Sequence, residues 1–106
     1  MDELFLYFDT SVDQYALPMK ITLADTCNGI TFKNLGTTLL LVDADVLQPG
    51  QSKSFGGNRG EIYRGRHDIA FQTQTVAPPV VTNLVAVTQK YYVKPGPGQK
   101  KYYSEL

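Results

Sequence analysis

Several things are scarce in this 106-residue chain, and each scarcity narrows what it can be. One cysteine leaves no intramolecular disulfide framework, and a lone thiol says little about redox compartment. Tryptophan is absent and histidine occurs once, so a metal centre at His67 would need other ligands, of which Cys27 is the only soft one. Charge of one sign is lacking as well: ten basic and ten acidic side chains give a formal net charge of zero. A dedicated nucleic-acid binder normally carries a basic excess that releases counterions, so that class is set aside. No apolar run approaches the roughly 20 residues a membrane-spanning helix needs, so no such span is expected. The opening Met1-Asp2-Glu3 is acidic where a secretory signal starts basic, so none is predicted there.

Helical periodicity is missing too, and a period of two dominates. In Tyr15-Ala16-Leu17-Pro18-Met19-Lys20-Ile21-Thr22-Leu23 the odd positions are large and apolar and the even ones small or polar. That alternation predicts a half-buried strand, at a sheet edge or bulged at Pro18, which lacks an amide hydrogen. Leu4, Leu6 and Phe8 repeat the pattern. Cys27-Asn28-Gly29 reads as a turn before a strand at Ile30–Lys33, and Thr37–Val42 as a central strand buried on both faces. Gln48-Pro49-Gly50-Gln51 has the residues of a type II turn. Shorter strands are predicted at 53–55, 61–63 and 68–72. A long one is predicted at about 80–93, with Val81, Val85, Val87, Tyr91 and Val93 in one phase. The length suits one domain, since domains cluster near about 100–150 residues. Residues 1–94 form that domain, and Pro95-Gly96-Pro97-Gly98 begins a linker and C-terminal arm over 95–106.

No reaction is written in the chain. A Cys27–His67 nucleophilic pair would need a long-range coincidence and an oxyanion hole, so His67 is expected as an exposed turn residue beside Arg64 and Arg66. Asp43 and Asp45 would share a strand face with Asp25 nearby, but two aspartates after an apolar strand usually mark a turn and a solvated face. They also lack the spacing of an EF-hand calcium loop. Gly56-Gly57-Asn58-Arg59-Gly60 leads into Glu61-Ile62-Tyr63 rather than into a helix opening with Lys-Ser or Lys-Thr. A wide hairpin tip approaching another backbone is therefore predicted in place of a phosphate loop. No catalytic residue, metal ligand or cofactor site is assigned.

The candidates for binding are cationic and aromatic. Arg59, Arg64 and Arg66 sit close in sequence around Tyr63 and suit a carboxylate-rich partner or a sugar phosphate. Residues 1–14 carry four acidic and no basic side chains, whereas 90–106 carry Lys90, Lys94, Lys100 and Lys101 against Glu105. Either these ends lie side by side within one molecule, or the arm, through Lys100, Lys101, Tyr102 and Tyr103, reaches an acidic surface on another copy or protein. Tyrosine favours the second reading, because it is enriched in interfaces and has few rotors to freeze.

The stretch Phe32-Lys33-Asn34-Leu35-Gly36, followed by Leu47-Gln48-Pro49-Gly50-Gln51-Ser52-Lys53-Ser54-Phe55, resembles the Asn-x-Gly and Leu-x-Pro-Gly-x-Ser turns of immunoglobulin-like sandwich modules. The continuation through Gly57–Tyr63, Ile69-Ala70-Phe71 and Asn83–Val87 resembles small β-rich virion proteins of tailed or icosahedral bacteriophages. The resemblance spans roughly residues 30–93 and carries over no functional residue. It implies a structural role in a virion, as a capsid decoration, spike or connector subunit whose partners are other structural proteins or copies of itself. The alternative is an immunoglobulin-like binding module for a carbohydrate or protein, located in the cytoplasm. The fold expected is all-β: a small antiparallel sandwich, immunoglobulin-like or jelly-roll-like, of about seven to eight short strands.

Overall fold

A computed structural model describes residues 8–74, 76 and 79–93 of the chain. Eight strands follow in order: β1 Phe8–Tyr15, β2 Met19–Ile21, β3 Cys27–Asn34, β4 Leu39–Val42, β5 Asp45–Leu47, β6 Ser52–Gly56, β7 His67–Gln72 and β8 Val85–Tyr92. They form two four-stranded sheets ordered β1-β8-β3-β6 and β2-β7-β4-β5. One rule generates both orders. Strands β1 and β8, β2 and β7, β3 and β6, and β4 and β5 pair antiparallel, as in a single long ribbon. Rolling that ribbon brings β3 against β8 and β4 against β7. This is the eight-stranded jelly-roll wrapping, so of the two sandwiches expected from sequence the jelly roll is the one adopted.

The core sits between the sheets and is built from alternate positions. Ile30 and Phe32 come from β3, Leu40 and Val42 from β4, Ile69 from β7, and Val85 and Val87 from β8. Burying each such side chain contributes about 1.5–3 kcal/mol. The predicted turn at Gln48–Gln51 is present, closed by the Gln51 amide donating to the Gln48 carbonyl at 3.0 Å. Strand β4 is central as expected, but only Leu40 and Val42 are fully buried, while Leu39 and Leu41 on its outer face are half-buried.

Several expectations are corrected. The strand predicted over Tyr15–Leu23 is two strands in different sheets. The chain leaves β1 at Tyr15, crosses at Ala16–Pro18, where no ladder donor is needed from Pro18, and leaves Leu17 73% exposed. Cys27-Asn28-Gly29 is not a hairpin turn but a bulge within β3, where the register against β8 shifts. Gln89 keeps the inward phase of Val85 and Val87, whereas Tyr92 is buried on the opposite face of β8, against Phe8 and beneath Gly60, whose amide donates to its hydroxyl at 2.7 Å; Tyr91, expected inward, is half-buried. Residues 80–84 do not extend β8. They are held to residues 35–38 by irregular bonds instead: the Leu35 amide donates to the Leu84 carbonyl at 3.0 Å and the Thr37 amide to the Thr82 carbonyl at 2.8 Å, while Thr37 Oγ1 donates to the Val80 carbonyl at 2.6 Å and accepts from the Thr82 amide at 2.8 Å. Residues 61–63 are not a strand, and the glycine-dense segment is a crossing from β6 in one sheet to β7 in the other, not a hairpin tip. Its expected approach to another backbone is real: the Gly57 amide donates to the Asn28 carbonyl at 2.8 Å. The readings of residues 1–7 and of the arm, with Lys100, Lys101, Tyr102 and Tyr103, lie outside the described residues.

Candidate functional site: a basic cleft beside a Tyr–His–Asp network

The ladder between β2 and β7 ends at the pair Ile21 and His67. Beyond it residues 22–24 and 64–66 continue without strand pairing. Between them opens a cleft of about 570 Å³, lined by Lys20, Ile21, Leu23, Arg64, Gly65, Arg66, His67 and Asp68. Its near wall is held by Gln89 of β8. The buried Gln89 side chain donates to the Thr22 carbonyl at 2.9 Å and accepts from the Ala24 amide at 2.8 Å, bridging from one sheet to the other.

Three cations, Lys20, Arg64 and Arg66, are exposed at this cleft, against one carboxylate, Asp68, which lies opposite Lys20 in the ladder. Among the described residues, none of the three cations has an ion-pair partner. Arg64 and Arg66 are thus brought together as expected. Arg59 is not: it lies in a separate hollow with Phe8, Gly57 and Lys90. Lys20 escaped the sequence reading because nothing local ties residue 20 to residues 64–66; the β2–β7 pairing does.

His67 corrects the sequence reading more sharply. It is buried, not an exposed turn residue, with its ring 5.4 Å from that of Phe32 and 4.2 Å from that of Phe55. Its Nδ1 lies 2.7 Å from Asp43 Oδ2, and its Nε2 lies 2.7 Å from Tyr63 Oη. Asp43 is presented by the two-residue turn between β4 and β5, with φ at 58°. Its other oxygen accepts from the Asp68 amide at 3.0 Å, while the Asp43 amide donates to the Asp68 carbonyl at 2.9 Å. Burial pushes the Asp43 carboxyl up, but the Asp68 amide and His67 outweigh it, and the net direction is down. An ionised Asp43 makes Nδ1 the donor, so in the neutral imidazole Nε2 accepts the Tyr63 hydroxyl proton.

This Tyr63–His67–Asp43 chain has the residue types of a proton relay but not its access. A Cβ at Gly65 would overlap the Tyr63 hydroxyl, so the Gly65 backbone covers it. Burial, with the charge of Asp43 next, raises the Tyr63 hydroxyl above its ordinary value, which opposes its use as a nucleophile. Asp43 and Asp45 mark the exposed turn expected of them: Asp43 goes to His67, and Asp45 forms an ion pair with Lys53. Cys27 does not meet His67 either. It is fully buried, its Sγ donates to the Gly29 carbonyl at 3.4 Å, and burial raises its thiol. The network instead fastens the β4–β5 turn and the 57–66 crossing onto β7, which fixes the floor of the basic cleft.

Because the folded-state Asp43 pKa is lowered, the native state binds fewer protons there than the unfolded chain. Its contribution to stability is present above the ordinary value of 3.8 and is lost as pH falls through that value and below. The urea midpoint should therefore drop between about pH 5 and about pH 3. Asp43→Asn, which tolerates the same positive φ, should show a shallower drop. Equal acid slopes in the two proteins would remove Asp43 from this account.

Comparison of the chain with protein-family models, curated proteins and solved structures finds no match.

Proposed function

We propose that the chain is a non-catalytic structural protein that works by making protein contacts, in the setting of a virion as a capsid-associated, spike or connector subunit. The observation that carries this reading is the cleft: Lys20, Arg64 and Arg66 converge, exposed and without ion pairs to described residues, on a floor held in place by His67. Guanidinium groups so placed suit carboxylate side chains of a partner, which they can engage with paired hydrogen bonds. The jelly-roll wrapping supports the assembly reading by fold analogy alone, since it also serves lectins and other proteins. The covered Tyr63 hydroxyl and the buried Cys27 thiol support the absence of catalysis. Arg59 and the arm residues Lys100, Lys101, Tyr102 and Tyr103 belong to the same proposal as further contact points.

Binding of a fluorescent oligoglutamate peptide, followed by anisotropy, tests the cleft. Arg64→Ala/Arg66→Ala should weaken binding by about tenfold or more, because two charge-assisted contacts are lost. Arg59→Ala should leave it nearly unchanged. A peptide that fails to bind the monomeric chain, or binds the double variant equally well, would overturn this use of the cleft. A sulfated disaccharide that binds where oligoglutamate does not would favour the alternative, a carbohydrate-binding module.

A further inference from the structure

We propose that the partner is a second copy of this chain, and that the two copies pair through the side of the sandwich formed by β1 and β2. Strand β1 of each copy meets the basic cleft of the other. The inference rests on the reading of the cleft as a protein contact and names what fills it.

Strands β1 and β2 are the edges of the two sheets, joined across the sandwich by Ala16–Pro18, so they form one side of the molecule. Three large apolar side chains lie exposed along it: Val12 at 61%, Leu17 at 73% and Met19 at 40%. Asp9 and Asp13 stand beside them on β1, on the face opposite Val12. By register they share a face of β1 with Ser11 and Tyr15, the face turned toward the other sheet, yet both are exposed. Four residues apart, they are spaced about 13 Å along the strand. No described residue forms an ion pair with either; Asp9 accepts only from the Thr10 amide, at 2.9 Å. The cleft beside β2 carries Lys20, Arg64 and Arg66, partly offset by Asp68.

A two-fold contact requires a patch and its complement on the same surface, because residue i of one copy meets residue j of the other and the reverse. This side holds both signs, neither ion-paired to a described residue, and so is complementary to itself. The contact is made by side chains rather than by added strands. Asp9 and Asp13 are inward-pointing charges on an edge strand, β2 has three residues, and Pro18 beside it offers no donor. These features oppose open-ended edge pairing. The association therefore closes at two copies.

Sedimentation of the full chain at low salt, with charge reversal, tests this. The wild type should dimerise, with weakening as salt rises. Asp9→Lys/Asp13→Lys and Arg64→Glu/Arg66→Glu should each raise the dissociation constant by about tenfold or more, as like charges then face each other. An equimolar mixture of the two variants should recover a dimer, because both contacts in the mixed pair join opposite charges. All four positions are exposed, so a cooperative melt checks that each variant remains folded. A wild type that stays monomeric at about 100 µM overturns the inference, as does a mixture that does not recover or an assembly larger than a dimer. Monomers that still bind oligoglutamate through Arg64 and Arg66 would sink the dimer alone. Monomers that bind none would sink both readings.

Discussion

Phe32→Ala should lower the stability of the domain by about 3–5 kcal/mol, the range for removing a buried aromatic ring. Phe32 is 0% exposed and comes from β3, which is hydrogen-bonded on both sides, to β8 and β6. Its ring meets Phe55 edge-on at 6.0 Å and His67 at 5.4 Å, so the substitution opens a cavity at the place where the core supports the Tyr–His–Asp network. A domain of this length has only about 5–15 kcal/mol in total, so the change consumes a large part of it. The melting temperature should fall by roughly 12 °C or more. Urea unfolding measures the loss directly. A change below about 1 kcal/mol would mean that the sheets collapse to fill the space, and that Phe32 does not anchor the core.

His67→Leu should cost about 2–4 kcal/mol, although leucine fills much of the volume and is well suited to the apolar side of the site. The loss arises because two hydrogen bonds disappear together: the Tyr63 hydroxyl keeps no acceptor at Nε2, and Asp43 loses Nδ1. Tyr63→Phe removes a single bond and should cost about 1 kcal/mol. In the His67→Leu background the Tyr63→Phe change should be nearly free, since the bond it removes is already gone. Denaturant unfolding of the four proteins in this double-mutant cycle yields the coupling. Additive losses would show that Tyr63 and His67 act independently and that the network is a coincidence of packing. The same unfolding curves report on the cleft, because its floor is the backbone that His67 anchors.

How legible the molecule was in its sequence varied from segment to segment. The strands at 39–42, 52–56, 67–72 and 85–92 and the Gln48–Gln51 turn are readable because alternation and Pro-Gly chemistry act within a few residues. The same alternation misled at Tyr15–Leu23, since it records which faces are apolar but not the sheet to which each half belongs. His67 was misread for the opposite reason. Its flanking arginines suggested solvent, while the groups that bury it, Phe32, Phe55 and Asp43, lie between 12 and 35 residues away in the chain and arrive through β3, β6 and the β4–β5 turn. The pairing of β1 with β8 brings the acidic start beside Lys90, whose Nζ lies 3.8 Å from the centre of the Phe8 ring. The first described strand thus lies beside the last, but Lys90 meets an aromatic ring and not Asp9 or Asp13.

Local patterning by itself determined that the described residues are short β-strands with no helix of several turns among them, because each of those properties depends on neighbours in sequence. Which strands pair, and hence the jelly-roll wrapping, the Tyr63–His67–Asp43 network and the meeting of Lys20 with Arg64 and Arg66, was decided only in the tertiary structure. The ribbon joins the first strand to the last and the second to the seventh, so these contacts form only when closing long loops is offset by burial of a shared core.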